Sequence, residues 1–215
     1  TIGDHVILDG VSSRASINVT ASASTDGAGI TVYAGGVFGL SAADVDSWSD
    51  VSYIGNYSEI SVSNASRNNK SDTIVGGLAG VIQNSYVNGF TATLAGANIL
   101  ADSTDKGSAV AGGLAGVAYS TENVSNAETF SSRELTTVSH ININASGSTI
   151  SALSAATTNS HNDKIEVGNI MNKTYDVAVS GGVLGLIYSL SHGALNITDV
   201  NFNKAQGATG ALDIR

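Results

Sequence analysis

The chain has 215 residues, 42% of them hydrophobic, which supplies enough apolar side chain for a packed core and excludes a globally disordered polymer. Only 13% are charged, with 18 acidic against 9 basic residues, so the cationic patch that nucleic-acid phosphates or an anionic membrane surface require is missing. No cysteine is present, which removes disulfides, thiolate metal sites and a cysteine nucleophile; no proline is present either, the residue least tolerated inside a β-ladder.

The apolar set is mainly Val, Ile, Ala and Leu, and Ser, Thr, Asn and Gly fill most of the rest. Small β-branched residues suit thin, closely stacked strands, whereas the surface helix formers Glu, Lys, Gln and Arg are scarce. No apolar run reaches bilayer-spanning length, so membrane insertion is not expected. No signal peptide precedes Thr1, and an abrupt start of this kind fits a processed N-terminus or an excised segment.

Taken in chain order, the first expected edge strand is Ile2 to Leu8, and the first glycine-rich motif is Ala34-Gly35-Gly36-Val37-Phe38-Gly39-Leu40. An aromatic-ended polar stretch follows, Asp50-Val51-Ser52-Tyr53, and then the alternating Ile60-Ser61-Val62. Residues 63–72, rich in Asn, Ser and charge, are expected to form a loop. The second motif is Val75-Gly76-Gly77-Leu78-Ala79-Gly80-Val81, followed by Ser85-Tyr86-Val87-Asn88-Gly89-Phe90. After a further loop at 101–107 comes Ala111-Gly112-Gly113-Leu114-Ala115-Gly116-Val117, with Asn123-Val124 to Phe130 and Ile141-Asn142-Ile143-Asn144 beyond it. Residues 145–163 read as loop-rich. The fourth motif, Ser180-Gly181-Gly182-Val183-Leu184-Gly185-Leu186, lies between Asp176–Val179 and Ile197-Thr198-Asp199-Val200-Asn201-Phe202. The last expected edge is Gly210 to Ile214. Period-2 alternation throughout predicts strands with one buried face, and no stretch carries a sustained helical period.

Repetition is the dominant signal. The first glycines of the motifs stand 41, 36 and 69 residues apart, and the last gap predicts a degenerate copy within Gly147 to Leu153. Glycine pairs at Gly35/Gly36, Gly76/Gly77, Gly112/Gly113 and Gly181/Gly182 permit either positive φ or close backbone approach, as a tight corner between sheets demands. The apolar residues between the glycines are then expected to point inward. The alternative is an antiparallel β-sandwich with glycine hairpins, although Asp-Gly or Asn-Gly turns occur only at Asp9-Gly10, Asp26-Gly27 and Asn88-Gly89.

These four Gly-Gly-[Leu/Val]-x-Gly-[Val/Leu] cores resemble the GLUG motifs of large bacterial and protist surface proteins. The resemblance covers four cores of seven residues and their followers. It implies a β-helical stalk or display segment of a secreted protein and says little of activity.

For chemistry, His5, His140, His161 and His192 are scattered without metal-ligand spacing, no Gly-x-Ser-x-Gly elbow occurs, and the glycine motifs lack the Lys-Ser/Thr of a phosphate loop. An enzyme is therefore not expected, nor a cofactor beyond a candidate Ca²⁺ site at Asp44, Asp46 and Asp50, whose carboxylates fall at positions 1, 3 and 7 of a stretch that lacks the EF-hand Gly and Glu. Within it Trp48, the one tryptophan, could stack on a sugar or cap the solenoid. Eight Asn-x-Ser/Thr sequons, at Asn18, Asn56, Asn64, Asn69, Asn123, Asn144, Asn172 and Asn196, are glycosylation candidates. The competing use of these residues is asparagine ladders between stacked coils. Regular Thr-x-Thr ranks for an ice-binding face are absent apart from Thr91-Ala92-Thr93.

The expected architecture is all-β: a right-handed parallel β-helix (β-solenoid) built from glycine-rich repeats, one elongated domain over 1–215. Coils of roughly 20 residues would number about ten and make a rod roughly 50 Å long. The expected role is an extracellular, cell-surface stalk or filament subunit that self-associates. The alternative is an adhesin segment that binds glycan or host protein through residues 44–50 and 145–163.

Overall fold

The computed structural model describes residues 7–23, 30–41, 46–56, 58–66, 71–104, 107–120, 135–154, 178–189, 194–204 and 213–215. The first coil holds β1 (Ile7–Asp9), β2 (Ser12–Ser13), β3 (Ile17–Ala23), β4 (Val32–Gly35) and β5 (Phe38–Ser41). The second holds β6 (Asp46–Asn56), β7 (Glu59–Ser66), β8 (Asp72–Gly76) and β9 (Ala79–Gln83), and the third β10 (Ser85–Ala95), β11 (Asn98–Ser103), β12 (Ser108–Gly112) and β13 (Ala115–Ser120). The fourth is β14 (Leu135–Ser146), β15 (Thr149–Ser154), β16 (Ala178–Gly181) and β17 (Leu184–Ser189), and a fifth begins with β18 (Ala194–Lys204) and β19 (Asp213–Ile214).

Each strand of a coil joins a different sheet. Sheet I is β1/β2-β6-β10-β14-β18, sheet II β3-β7-β11-β15-β19, sheet III β4-β8-β12-β16 and sheet IV β5-β9-β13-β17. Every pairing is parallel, from β1 on β6 to β15 on β19, so the fold is a parallel β-helix and the antiparallel sandwich is ruled out.

The coil is larger than the sequence suggested. Gly35, Gly76, Gly112 and Gly181 are successive Cα partners along sheet III, so the separations of 41, 36 and 69 residues are each one coil. Coils of 36 to 69 residues with four strands each, instead of roughly 20 residues, give five strand levels in sheets I and II and four in sheets III and IV, an axial length of about 19–24 Å instead of roughly 50 Å. The stretch Gly147 to Leu153 is not a copy of the motif corner: Gly147, at φ +56°, turns the chain from β14 to β15. The added length of that coil falls in 121–134 and 155–177, outside the described residues. Residues 145–154, expected to be loop, instead lie mostly in β14 and β15, because Ala145 and Thr149 stack on Leu94 and Asn98 in the coil beneath.

Burial follows the columns that this register creates. One isoleucine per coil, Ile17, Ile60, Ile99, Ile150 and Ile214, forms a single column along sheet II. Val51, Phe90, Ile141 and Val200 do the same in sheet I. Together with Leu78 and Leu114 from the glycine corners, these residues build the main core enclosed by the four sheets. The expected inward aim of the residues between the glycines is thus met: Leu78, Ala79, Leu114 and Ala115 are all fully buried.

A second cluster was not foreseen. Ile74, Val81, Val110, Val117 and Tyr119 pack together with Tyr33, Leu40, Val179 and Leu186, all from sheets III and IV. Each coil contributes a pair seven residues apart that brackets its motif, namely Tyr33/Leu40, Ile74/Val81, Val110/Val117 and Val179/Leu186. The chain doubles back at each Gly-Gly corner, which brings the two flanking residues together.

That reversal explains the glycines. None of the motif glycines has positive φ among the described residues; the positive-φ glycines are Gly10, Gly89, Gly96, Gly107 and Gly147. Close approach is the requirement instead. A Cβ on Gly113 would overlap the Gly182 carbonyl oxygen and stand 2.9 Å from Ile143 Cδ1. The corners also continue the ladder: Leu78 N–H donates to Leu114 O at 2.8 Å, and Leu114 N–H donates to Val183 O at 2.7 Å.

Buried hydroxyls close the other corners. Thr73 Oγ1 and Ser103 Oγ are 3.0 Å apart, Ser103 Oγ donates to Ser108 O at 2.9 Å, and Ser41 Oγ meets Ser85 Oγ at 3.1 Å. Two buried tyrosines add a pH dependence. Burial, with a smaller contribution from Tyr33, pushes the Tyr119 hydroxyl far above its usual 10.0. Burial also raises Tyr53, against a smaller opposing hydrogen bond from Ser58. The folded state therefore resists ionising groups that the unfolded chain ionises near pH 10. Stability is full below that pH and falls as pH rises above it. Thermal melts from pH 8 to 12 should show a steep loss above pH 10, and Tyr119→Phe should reduce that slope.

Candidate binding face

The outward face of sheet I is a polar array set by strand alternation. Phe90, Ala92 and Leu94 of β10 point into the core, so Thr91 and Thr93 between them face out. Parallel register then aligns Ser52, Thr91, Asn142 and Asn201 in one column and Thr93, Asn144 and Asn203 in the next. Amide and hydroxyl ladders of this kind are the use that the sequence analysis weighed against glycosylation, and here they lie on the outer face.

The regular alternation breaks at one place in every strand. Asn88 pairs with Ser139 and Phe90 with Ile141, which leaves Gly89 and His140 opposite each other outside the ladder; the same offset leaves His140 opposite Asp199. Gly89, His140 and Asp199 have φ of +96°, +55° and +51°. A row of positive-φ positions outside the ladder, the bulge row, therefore crosses sheet I at a fixed height, one residue per strand and none inserted. Glycine adopts this conformation freely, but a side chain there costs about 1–2 kcal/mol, so His140 and Asp199 hold a strained backbone that glycine would relieve. Asn88-Gly89, which resembled a hairpin turn in the sequence, lies inside β10 at this bulge.

The bulge carries a connected set of side chains. His140 Nδ1 lies 2.8 Å from Asn88 Oδ1, and its Nε2 lies 3.5 Å from Asp199 Oδ2. Asn201 Nδ2 donates to Asp199 Oδ1 at 3.3 Å. His140 and Asp199 are 65% and 53% exposed, so the set is open to ligand. Tyr86, two residues before Asn88 on the same outward face, is 45% exposed.

The residues singled out from sequence are spread differently. Asp46, Trp48 and Asp50 lie in β6, extended between β1 and β10, while Asp44 is outside the described residues. The register sets Trp48 in the column of Leu8 and Val87. Among the described residues no group of three His, Cys, Asp or Glu could hold a metal ion, and no helix is long and apolar enough to cross a membrane. Of the sequons, Asn18 and Asn196 are exposed on β3 and β18, and Asn144 is half-buried in β14 instead of in a loop. Asn64 is fully buried in β7, where its Nδ2 donates to Ile30 O at 2.9 Å, so its amide is closed to a glycan; a strand had been mistaken for loop. Asn56 ends β6, and Asn69, Asn123 and Asn172 lie outside the described residues.

The bulge residues escaped the sequence analysis because their relation is one of register. No local motif links Gly89, His140 and Asp199, and only the alignment of aromatic-ended stretches behind successive glycine motifs could have revealed it. No protein-family model, curated protein or solved structure matches the chain.

Proposed function

We propose that the protein is a structural element of an extracellular, cell-surface assembly: a GLUG-type stalk or filament subunit that associates end-on through its terminal coils. The observation that carries this reading is the chemistry of the two end faces. Among the described residues, the core columns run out to solvent instead of ending under a polar cap. Leu8 and Ile17 are only half-buried at one end, and Ile187, Phe202 and Ile214 are 46%, 43% and 47% exposed at the other.

Among the described residues, the strands at both ends also leave one edge unpaired in all four sheets, with β1, β3, β4 and β5 at one face and β18, β19, β16 and β17 at the other. Open edges of this kind template further pairing. Because the two faces differ, the contact is heterologous and propagates instead of closing. The Ile17–Ile214 column supports the fit, since each face offers an isoleucine in the same sheet.

Sedimentation velocity tests this. The chain should form a concentration-dependent ladder of oligomers at micromolar concentration, and Ile214→Lys combined with Phe202→Lys should reduce it to monomer without loss of β circular dichroism. A wild-type chain that remains monomeric over the same range contradicts the proposal.

A further inference from the structure

We infer that the bulge row of sheet I is a binding site for a neutral oligosaccharide, with Tyr86 as stacking platform and Asn88, His140, Asp199 and Asn201 as its hydrogen-bonding row. This rests on the outward face of the solenoid and is independent of end-on association.

Three observations converge. The first is Tyr86. Among the described residues, Ile187, Phe202 and Ile214 are exposed where core columns reach the outermost strands, and Ile7 is exposed on the outward face of the first strand of sheet I. Tyr86 instead stands on the third coil, with strands on both sides, on an outward face that is mainly polar but also carries Ile7 and Ile54. An exposed phenol ring there offers an apolar plane with a polar tip, the surface on which the C–H face of a pyranose stacks.

The second is the hydrogen-bonding row. Asn88, His140 and Asp199 sit on three adjacent strands, so the row spans two strand spacings, about 9.6 Å, the scale of a short oligosaccharide. Amide, imidazole and carboxylate alternate donors with acceptors, which is what vicinal hydroxyls need. These groups already hold one another at 2.8, 3.5 and 3.3 Å, so little ordering remains to be done on binding. The Thr91–Asn142–Asn201 and Thr93–Asn144–Asn203 columns continue the polar face beside the row.

The third is strain. Gly89 shows that glycine meets the geometric need of the bulge, yet the next two strands carry His140 and Asp199 at positive φ. A side chain kept where glycine is easier marks a use for that side chain. The charge balance selects the ligand class. The row pairs one imidazole with one carboxylate and contains no Lys or Arg, and the chain as a whole carries −9, so an anionic ligand is disfavoured and a neutral polyol suits.

The test is titration calorimetry of the chain against cellotetraose, chitotetraose, maltotetraose and mannotetraose, with a sulfated heparin tetrasaccharide as the anionic comparison. At least one neutral tetrasaccharide should bind saturably and the sulfated one should not. Tyr86→Ala should weaken that binding by about tenfold. His140→Gly should weaken it as well while leaving the melting temperature unchanged or higher, a combination that a merely structural histidine would not give. The exposed Leu153→Ala should change nothing. Absence of binding by all four neutral probes, preference for the sulfated one, or unchanged affinity in Tyr86→Ala overturns the assignment.

Discussion

Gly113→Ala should destabilise the fold by about 3 kcal/mol or more, the range of a severe overpacking change with no flexible neighbour to yield. The added methyl meets the Gly182 carbonyl oxygen of the next coil and Ile143 Cδ1, 2.9 Å away. Neither can move freely. The carbonyl belongs to the corner where Leu114 N–H donates to Val183 O, and Ile143 stands in the core column between Ala92 and Phe202. Gly147→Ala is the informative comparison. A Cβ there meets nothing within 4 Å, so its cost is the positive φ alone, about 1 kcal/mol. Guanidinium unfolding of the two variants separates close stacking from backbone conformation. Equal losses would mean that the motif glycines are ordinary turn residues and that the corners do not stack as described.

Ile99→Ala should cost about 2–5 kcal/mol, because its side chain is 1% exposed and sits in the middle of a five-isoleucine column. The solenoid makes the cost graded along its axis. Ile17, half-buried in the first coil, should lose only about 1 kcal/mol on the same substitution, since less apolar surface leaves water there. Each coil buries its apolar face only against its neighbours, so position in the stack sets the worth of chemically identical residues. A uniform cost along the column would point to a compact core in place of a stack.

Much of this architecture was legible in the sequence, for a physical reason. Parallel stacking places equivalent residues of successive coils on one another, so the sequence repeats whatever the stack requires. The Gly-Gly-Leu cores marked the corner between sheets III and IV, and the aromatic-ended stretches Asp50–Tyr53, Ser85–Phe90 and Ile197–Phe202 proved to be sheet I strands. The coil length was misjudged because a coil was taken as roughly 20 residues, which puts more than one coil between motifs, whereas the chain makes a single four-strand coil between recurrences. The interval from Gly112 to Gly181 looked like two repeats because it is 69 residues long, although Gly112 and Gly181 are partners in adjacent coils.

The candidate site was hardly legible at all. Asp44, Asp46, Trp48 and Asp50 drew attention as a local cluster, but Asp44 lies outside the described residues, and the register sets Trp48 beside Leu8 and Val87 and leaves Asp50 opposite Gly89. The bulge row is assembled from residues about fifty apart, one from each coil, and no single stretch carries its signature. Strain at His140 and Asp199 is likewise a property of the backbone, invisible until φ is known. The same reasoning disposes of Asn64 as a glycan acceptor: its sequon is intact, but the strand it occupies turns the amide inward to Ile30 O.

The account's central claim is that coils stack in parallel and that the stack can continue from one chain to the next. Cryo-electron microscopy of the chain at micromolar concentration tests it most directly. Slender filaments are predicted, with a strong layer line near 4.8 Å and a subunit repeat of about 19–24 Å, the four to five strand levels that each chain contributes. Isolated single-chain particles at every concentration, or assemblies without the 4.8 Å spacing along their axis, would contradict it.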